Sequence, residues 1–207
     1  MTANDELRLA ELMCARLCHD LAGPIGGAAA GVELLGEEAG GGEVAQLLGA
    51  SVGAAARQLN FLRRAFGRST APAAAAALRR LAEELLAGWP SAERPGIVEW
   101  SDSGAGDWPA DHAKLALNLV LVARDCLPRG GRLTVRLCRP PSWRIDIEAS
   151  GRLSAGEALP ALAATTAADV GPRGAPAYYA ACLARRLGGR IEAAGGEDSL
   201  RLAAMAP

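Results

Sequence analysis

Leu17-Cys18-His19-Asp20-Leu21-Ala22-Gly23-Pro24 is the stretch around which the chain is organised. It places a histidine, an adjacent acidic residue and a proline inside a long amphipathic helical pattern that runs from Asp5 to Glu38. Apolar residues recur along this pattern at spacings of three or four, which is typical of helices packed in a bundle. The apolar positions are Ala10, Cys14, Leu17, Leu21, Ile25, Ala28, Val32 and Leu35.

A second helix with the same spacing is predicted from Glu43 to Phe66, after the turn Gly40-Gly41-Gly42. Two long helices joined by a short turn form an antiparallel hairpin. One hairpin cannot bury apolar faces of this width by itself. We therefore expect two hairpins to pair into a four-helix bundle, which would make the protein a homodimer. The apolar positions of the second helix are Val44, Leu48, Val52, Ala55, Leu59, Leu62 and Phe66.

The composition changes after a linker at residues 67–72, where shorter helical patterns and alternating strands begin. Helices grouped with several antiparallel strands predict a two-layer α/β sandwich. The predicted fold class is therefore α+β, with a helical dimerisation hairpin over residues 1–70 and a sandwich over residues 71–207. The predicted helices are Ala73–Ala87, Asp111–Cys126 and Pro176–Leu187, and the predicted strands are Ile97–Trp100, Arg132–Cys138, Trp143–Ala149, Arg190–Ala194 and Leu200–Ala204.

Charge and composition exclude several kinds of partner. The 207 residues carry a net charge of -1 and contain no apolar run long enough for a membrane span, so we expect neither nucleic-acid nor membrane binding. The five cysteines form no C-x-x-C pair, and their odd number and their scatter over apolar faces predict reduced, buried thiols in a cytoplasmic protein. Cys14 and Cys18 share a helix face from which His19 points about 100° away, so we expect no metal site.

His19 is predicted to be exposed and reactive. Leu17 and Leu21 each lie two positions from it, about 200° around the helix, so the imidazole points away from the bundle. Neutral imidazole is a nucleophile suited to accepting a phosphoryl group near neutral pH. The predicted catalytic residues are His19 and Asp20. The carboxylate would hold the second ring N–H, act as a general base, or be an ordinary surface carboxylate.

Small residues surround His19 on its helix face and leave room for a second protein to approach. Pro24 lies inside the helix, where it removes one backbone hydrogen bond and crowds the carbonyl of Asp20 at a cost of about 3 kcal/mol. A local distortion of the helix beside a reactive histidine would account for a proline at this position. The small residues predicted to meet a partner are Ala22, Gly23 and Gly26.

Arginines near His19 are candidates for neutralising phosphoryl charge. In a hairpin that turns near residue 41, position 19 faces roughly position 63, which brings Arg63 or Arg64 close to the imidazole. Arg16 lies one helical turn before His19, and we predict that Arg16 and Arg63 contact the incoming partner. For all three arginines the alternative is a solvated side chain without a role.

The motif H-D-x-x-x-P, here His19, Asp20 and Pro24, is similar to the phosphoacceptor box of dimeric histidine kinases. The chain resembles the alphaproteobacterial ChpT-type histidine phosphotransferases more closely, over its whole length and most strongly over residues 7–70. That resemblance implies a homodimer that relays phosphoryl groups from the receiver domain of a hybrid histidine kinase to response-regulator receivers. It implies no cofactor of its own, with Mg²⁺ supplied by the receiver. The resembling segments are Leu17–Asp20, Gly31–Leu35 and Ala65–Ser69.

The nucleotide-binding boxes of histidine kinases are incomplete in this sequence. Asn118 fits the first position of the N-x-x-x-N box, but Val122 occupies the second. The D-x-G-x-G box reads Ala149-Ser150-Gly151-Arg152-Leu153 and lacks the adenine-binding aspartate, and the glycine-rich lid keeps only scattered glycines over residues 171–177. We therefore expect no ATP use and a buried amide at Asn118. The alternatives are a minimal ATP-dependent histidine kinase or phosphatase, and a non-enzymatic dimeric scaffold in which His19 is incidental.

Overall fold

Two long helices, α1 (Ala3–Glu37) and α2 (Gly41–Phe66), form the predicted hairpin in the computed structural model, which describes residues 2–37, 41–87, 96–103 and 106–207. Helix α1 continues through Pro24 and carries two acidic residues in its first turn, where they complement the helix dipole. The predicted turn falls partly on residue 40, which lies outside the described residues, as does the predicted helix end at Glu38. Gly41 and Gly42 belong to α2 rather than to the turn.

The rest of the chain forms a five-stranded sheet with helices packed on it. The strand order is β1-β2-β3-β5-β4, in which β1 and β2 are parallel and the other neighbours are antiparallel. Alternate side chains of β2 and β3 are buried, because successive residues of a strand point to opposite faces. The elements are α3 (Ala75–Leu86), β1 (Gly96–Ser103), α4 (Ala110–Asp125), β2 (Arg132–Cys138), β3 (Arg144–Ser150), α5 (Ala158–Ala163), a 3₁₀ turn (Ala167–Asp169), α6 (Ala175–Arg186), β4 (Arg190–Gly195) and β5 (Ser199–Met205).

This architecture confirms the predicted α+β fold class. All five strands and five of the helices were predicted, with small differences at their ends, and β1 extends three residues further than expected, to Ser103. Helix α5 and the 3₁₀ turn were not predicted from the sequence. Helix α5 has only six residues, which is too short for a helical period to be visible in the sequence.

The hairpin shares one hydrophobic core with the sandwich. Leu9 and Leu12 of α1 and Phe61 and Leu62 of α2 are buried in the same cluster as the apolar residues of α4 and α6. Helix α4 is buried along most of its length, because it lies between the hairpin and the sheet layer. The two parts of the chain are therefore packed together as one body of apolar side chains.

Polar contacts fasten the hairpin to the sandwich at two further points. The Asn118 side-chain amide donates to the carbonyl of Ala65 in α2 at 3.0 Å, which confirms its prediction as a buried amide. At the start of α1, the Asp5 carboxylate accepts from the Thr166 hydroxyl at 2.6 Å and from the Ala167 N–H at 3.0 Å. These hydrogen bonds lower the pKa of Asp5 below its usual range.

The helix–helix contacts correct the predicted register of the hairpin. A Cβ at Gly31 would lie 3.3 Å from the Cβ of Leu48, and the Gln58 amide lies 3.4 Å from Asp20. This pairing places Leu59, rather than Arg63, level with His19. The prediction was wrong by one helical turn because α2 begins at Gly41, so the hairpin turns earlier than expected.

The apolar seam predicted for α1 divides between two environments. Leu17 and Leu21 are partly buried and pack against the core of the same chain. Ile25 and Val32 remain exposed, and so do Val52 and Leu59 of α2, with exposed fractions from 45% to 59%. Members of each pair are seven residues apart and therefore share a face of their helix. We call Ile25, Val32, Val52 and Leu59 the apolar stripe.

The prediction of buried thiols is wrong for most of the cysteines. Cys14, Cys18 and Cys138 are exposed because they occupy outward positions of α1 and β2, and Cys182 is half-buried. Only Cys126 is buried, which raises the pKa of its thiol to about 12. Among the described residues, no disulfide joins any of the five cysteines. Across the described residues, none of the helices has the length and apolar character needed to cross a bilayer.

Candidate active site

His19 projects from α1 with 65% of its side chain exposed. Its Nδ1 atom lies 3.3 Å from Oδ1 of Asp20. A carboxylate at that distance favours the neutral tautomer that carries its hydrogen on Nδ1, because the N–H then has an acceptor. The lone pair of Nε2 is left free on the exposed side of the ring. The arrangement suits attack by Nε2 on an incoming electrophile.

Asp20 is held from behind by two further side chains. Its Oδ2 accepts a hydrogen bond from Nε of Arg16 at 2.8 Å and one from the amide of Gln58 in α2 at 3.4 Å. Only 9% of the Asp20 side chain is exposed. The alternative of an ordinary surface carboxylate therefore does not describe Asp20, which is oriented between His19 and a buried cation.

Arg16 is the centre of this network and is only 5% exposed. Its Nη2 donates to Oδ1 of Asp125 at 3.1 Å, its Nη1 lies 2.7 Å from Oδ2 of the same carboxylate, and Nη1 also donates to the carbonyl of Arg173 at 3.4 Å. Burial alone would lower the pKa of Arg16, but the hydrogen bond and charge of Asp125, with the charge of Asp20, outweigh it and raise the pKa above its ordinary value.

This position differs from the partner-binding role predicted for Arg16. Its donors are engaged within the chain, because the end of α4 lies directly against this part of α1 and brings Asp125 to the guanidinium. The sequence predicted that Arg16 lies one turn from His19, but it did not predict that the carboxylate of Asp125 contacts the Arg16 guanidinium.

A cleft of about 410 Å³ lies beside His19, between the hairpin and the sandwich. Arg124 and Arg173 line it, and neither forms an ion pair with any of the residues that the structure describes. Glu157 adds one carboxylate to the wall. The cleft therefore offers two guanidinium groups that form no ion pair within the described residues, near an exposed imidazole, which suits a phosphoryl oxygen or another anionic group.

The predicted partner-facing residues lie on open surface. Ala22, Gly23 and Gly26 are exposed, and a Cβ added to either glycine would meet nothing within 4 Å. Arg63 is also exposed, one turn beyond the residue level with His19. Arg64 has a different task, because it donates to the Ser69 hydroxyl at 2.6 Å and to the Ala71 carbonyl at 2.8 Å and so holds the linker.

The positions of the kinase nucleotide boxes serve packing in this chain. Asn118 and Val122 are buried in the core, and the amide of Asn118 is used by the hairpin. In the former lid segment, a Cβ on Gly174 would lie 2.9 Å from the Cβ of Ala161 in α5, and one on Gly171 would collide with the Glu157 carboxylate. These glycines permit the close approach of α5.

Sequence reasoning missed four side chains of the site. Gln58 could have been found from the hairpin register had the turn been placed correctly. The others lie more than a hundred positions from His19, and nothing in one sequence pairs them with it. The missed residues are Gln58, Arg124, Asp125 and Arg173.

Comparisons with known proteins agree on one family. A family model described as histidine phosphotransferase C-terminal domain matches residues 75–199. The protein phosphotransferase ChpT of Brucella abortus (strain 2308) is 37% identical over 137 residues, which cover 63% of this chain and 61% of that protein, less than two thirds of its length. A solved bacterial phosphotransferase has 28% identity and a TM-score of 0.80, over 99% of this chain and 97% of that chain.

Proposed function

The chain belongs to the histidine phosphotransferase family, and we propose that it relays a phosphoryl group through His19. The observation that carries this assignment is the exposed imidazole whose Nδ1 faces Asp20, beside a cleft lined by two arginines that form no ion pair within the described part of the chain. The donor is an aspartyl phosphate on the receiver domain of a hybrid histidine kinase. The acceptors are aspartates of response-regulator receivers.

The transfer step uses the tautomer that Asp20 favours. The Nε2 lone pair attacks phosphorus in line with the departing oxygen, the N–P bond forms, and the P–O bond of the aspartyl phosphate breaks to release the aspartate as a carboxylate. The ring becomes positively charged and keeps its hydrogen on Nδ1, where Oδ1 of Asp20 stabilises it. The reverse sequence passes the group to the next receiver.

The surroundings of His19 supply room and positive charge for this step. The exposed Ala22, Gly23 and Gly26 let a receiver approach the helix backbone closely. Arg124 and Arg173 neutralise the phosphoryl oxygens from the sandwich side of the cleft. Mg²⁺ is bound by the receiver, so this chain provides no metal ligands in the proposal.

The phosphoryl group comes from another protein rather than from ATP. Support comes from the residues at the nucleotide-box positions. Asn118 and Val122 are buried, and Ala149 stands at the position of the adenine-binding aspartate. The alternative is a minimal ATP-dependent kinase or phosphatase. Titration calorimetry separates them, since heat of Mg-ATP binding would favour the kinase.

The functional unit that we propose is a homodimer paired through the apolar stripe. Four large apolar side chains at heptad spacing leave a continuous surface that a second hairpin would cover as a four-helix bundle. Val32→Glu should shift the mass measured by light scattering from dimer to monomer. Leu34→Glu is the matched control, because Leu34 is also exposed on α1 but points to the opposite face. A monomeric wild type would contradict the proposal.

Transfer from a phosphorylated receiver tests the central proposal. Radiolabel should appear on the wild type and on His112→Phe, which removes the other of the two histidines, but not on His19→Ala. Equal labelling of His19→Ala would overturn the assignment. Receiver binding without labelling of any variant would favour the non-enzymatic scaffold.

A further inference from the structure

We propose that Asp125, the last residue of α4, is a positioning residue for phosphoryl transfer at His19 and acts through Arg16 and Asp20. The inference rests on the proposed function and adds a residue of the sandwich to it. Asp125 does not touch the imidazole. It holds the guanidinium of Arg16, which in turn holds the carboxylate that faces Nδ1 of His19.

The division of donors on Arg16 is the first argument. Nη2 donates a hydrogen bond to Oδ1 of Asp125 and Nη1 lies 2.7 Å from its Oδ2 as an ion pair, whereas the contact with Asp20 is made by Nε. Asp20 is thereby engaged through Oδ2 alone, and its Oδ1 stays available to the imidazole. A guanidinium without Asp125 would turn its fork to Asp20 and engage both oxygens, because bidentate pairing is the preferred geometry with a carboxylate.

Burial is the second argument. The side chains of Arg16 and Asp20 are 6% and 9% exposed, so their contacts are weakly screened by water and hold a fixed geometry. Two carboxylates share the one guanidinium of Arg16, so the group formed by Arg16, Asp20 and Asp125 carries one net negative charge. That charge favours the imidazolium character that develops when Nε2 bonds to phosphorus.

Other charged groups near the network do not replace Asp125. Helix α1 contributes Arg16 and Asp20, α4 adds Arg124 beside Asp125, and the loops before α5 and α6 add Glu157 and Arg173. From α2 the described contact is the neutral amide of Gln58. The carboxylate of Asp125 is the one that meets the Arg16 fork.

Asp125→Asn tests the inference with two readouts in the full chain. The rate constant of transfer from a phosphorylated receiver should fall about tenfold, a smaller loss than the 10²–10⁴ typical of removing a direct acid–base group. In ¹⁵N-imidazole NMR, His19 should shift from the Nδ1–H tautomer to a mixture of tautomers. A merely structural role would leave this tautomer ratio unchanged.

Asp111→Asn is the matched control. Asp111 lies in the first turn of the same helix and is paired with Arg186 at 2.6 Å, far along α4 from His19. The same substitution there should leave both the transfer rate and the His19 tautomer at wild-type values. Asp125→Glu, which retains the carboxylate, should recover part of the rate and of the Nδ1–H tautomer.

Arg16→Lys gives an independent test should Asp125→Asn fail to fold. Lysine keeps the charge but cannot bridge two carboxylates as a planar fork does, so the tautomer shift should recur. The inference would be overturned if Asp125→Asn folds and transfers as fast as Asp111→Asn. The proposed function would still hold in that case, provided that His19→Ala takes up no label. Loss of the proposed function itself would show instead as equal labelling of His19→Ala.

Discussion

The two carboxylate oxygens of Asp20 contact different partners. Oδ1 orients the imidazole of His19, and Oδ2 is bound by Arg16 and Gln58. Because neighbouring residues on a helix point about 100° apart, an exposed His19 and a largely buried Asp20 can be adjacent in sequence. A helical His-Asp pair thus presents a nucleophile to solvent while its orienting group stays fixed in the structure.

The first prediction concerns this orienting role. Asp20→Asn should lower the rate constant of phosphoryl transfer to His19 by about 100-fold, because an amide neither fixes the Nδ1–H tautomer nor stabilises the positive ring. Quench-flow transfer from a phosphorylated receiver measures it. Glu11→Gln, which alters another α1 carboxylate in a surface ion pair with Arg8, should have no effect. Equal rates for the two variants would remove Asp20 from the mechanism.

His112 predicts a pH dependence of stability. It is 8% exposed, packs edge-on against Trp143 with ring centroids 5.2 Å apart, and has neither ring nitrogen paired within the described residues. Burial lowers its pKa below the ordinary 6.5, against a smaller opposing effect of the Asp111 charge. The unfolded chain therefore binds more protons just below pH 6.5, and the folded state loses stability as the pH falls through that range.

Urea unfolding between pH 7.5 and 5.5 checks this expectation. The unfolding midpoint of the wild type should fall more steeply towards acid than that of His112→Phe, which keeps an aromatic ring in the core but cannot titrate. Parallel midpoints would show that His112 is not protonated on unfolding in this range.

At the scale of single residues, the sequence predicted the chemistry but not its support. His19 and Asp20 could be predicted because their motif lies within one helix. The burial of Arg16 could not, because the carboxylate that fixes it belongs to α4, more than a hundred positions away. For the same reason Arg124 and Arg173 gave no signal, since a cleft between distant segments leaves no spacing to recognise.

Helix α1 uses its glycines in two ways at the scale of an element. Gly27 and Gly31 face α2 and permit close packing, whereas Gly23 and Gly26 face open space. Intrinsic propensity disfavours glycine in a helix by about 1 kcal/mol relative to alanine. At Gly27 and Gly31 the close contact with α2 offsets that cost. Gly23 directly precedes Pro24, where a Cβ in the helical conformation would crowd the proline Cδ. At Gly26 no contact with the described residues offsets the cost.

Alanine substitutions along α1 test this distinction. Gly26→Ala should raise the free energy of unfolding by about 0.5–1 kcal/mol. Gly23→Ala should not give this gain, because its methyl group would crowd the Cδ of Pro24. Gly31→Ala should lower it, because the new methyl would lie 3.3 Å from the Cβ of Leu48 and 3.5 Å from its Cα, which cannot move away alone. Chemical denaturation measures all three.

One of these variants also tests the predicted partner face. If a receiver docks closely against the small residues, Gly26→Ala should slow transfer to His19 although it stabilises the fold. An unchanged transfer rate would show that the receiver does not approach this part of α1. A gain in stability with a loss of transfer is an outcome that unfolding could not produce.

At the scale of the whole molecule, the hairpin and the sandwich share one hydrophobic core. The change in composition near residue 70 allowed these two parts of the chain to be predicted. The packing of Leu9, Leu12, Phe61 and Leu62 into the sandwich could not be predicted from it. The apolar residues of the two hairpin helices form two different surfaces. One is buried within the chain, and the other is the exposed apolar stripe. Periodicity alone cannot separate these faces.

A shared core predicts that the hairpin and the sandwich unfold together. All four tryptophans lie after residue 70, whereas α1 and α2 contain 35 and 26 residues of helix and dominate the helical signal. Urea curves from tryptophan fluorescence and from circular dichroism at 222 nm should therefore coincide at one protein concentration, as expected for a single cooperative transition.

The contact between Asn118 and Ala65 provides a variant that tests this coupling. Asn118→Ala leaves the buried carbonyl of Ala65 without its hydrogen-bond donor and should lower the free energy of unfolding by about 1–3 kcal/mol. Because the core is continuous, the variant should move the fluorescence and dichroism curves by the same amount, although Asn118 lies in the sandwich and Ala65 in the hairpin. Leu34→Glu, an exposed substitution, should leave both midpoints in place at that concentration. Two separated transitions would show instead that the layers fold independently and that the active-site cleft between them can open without global unfolding.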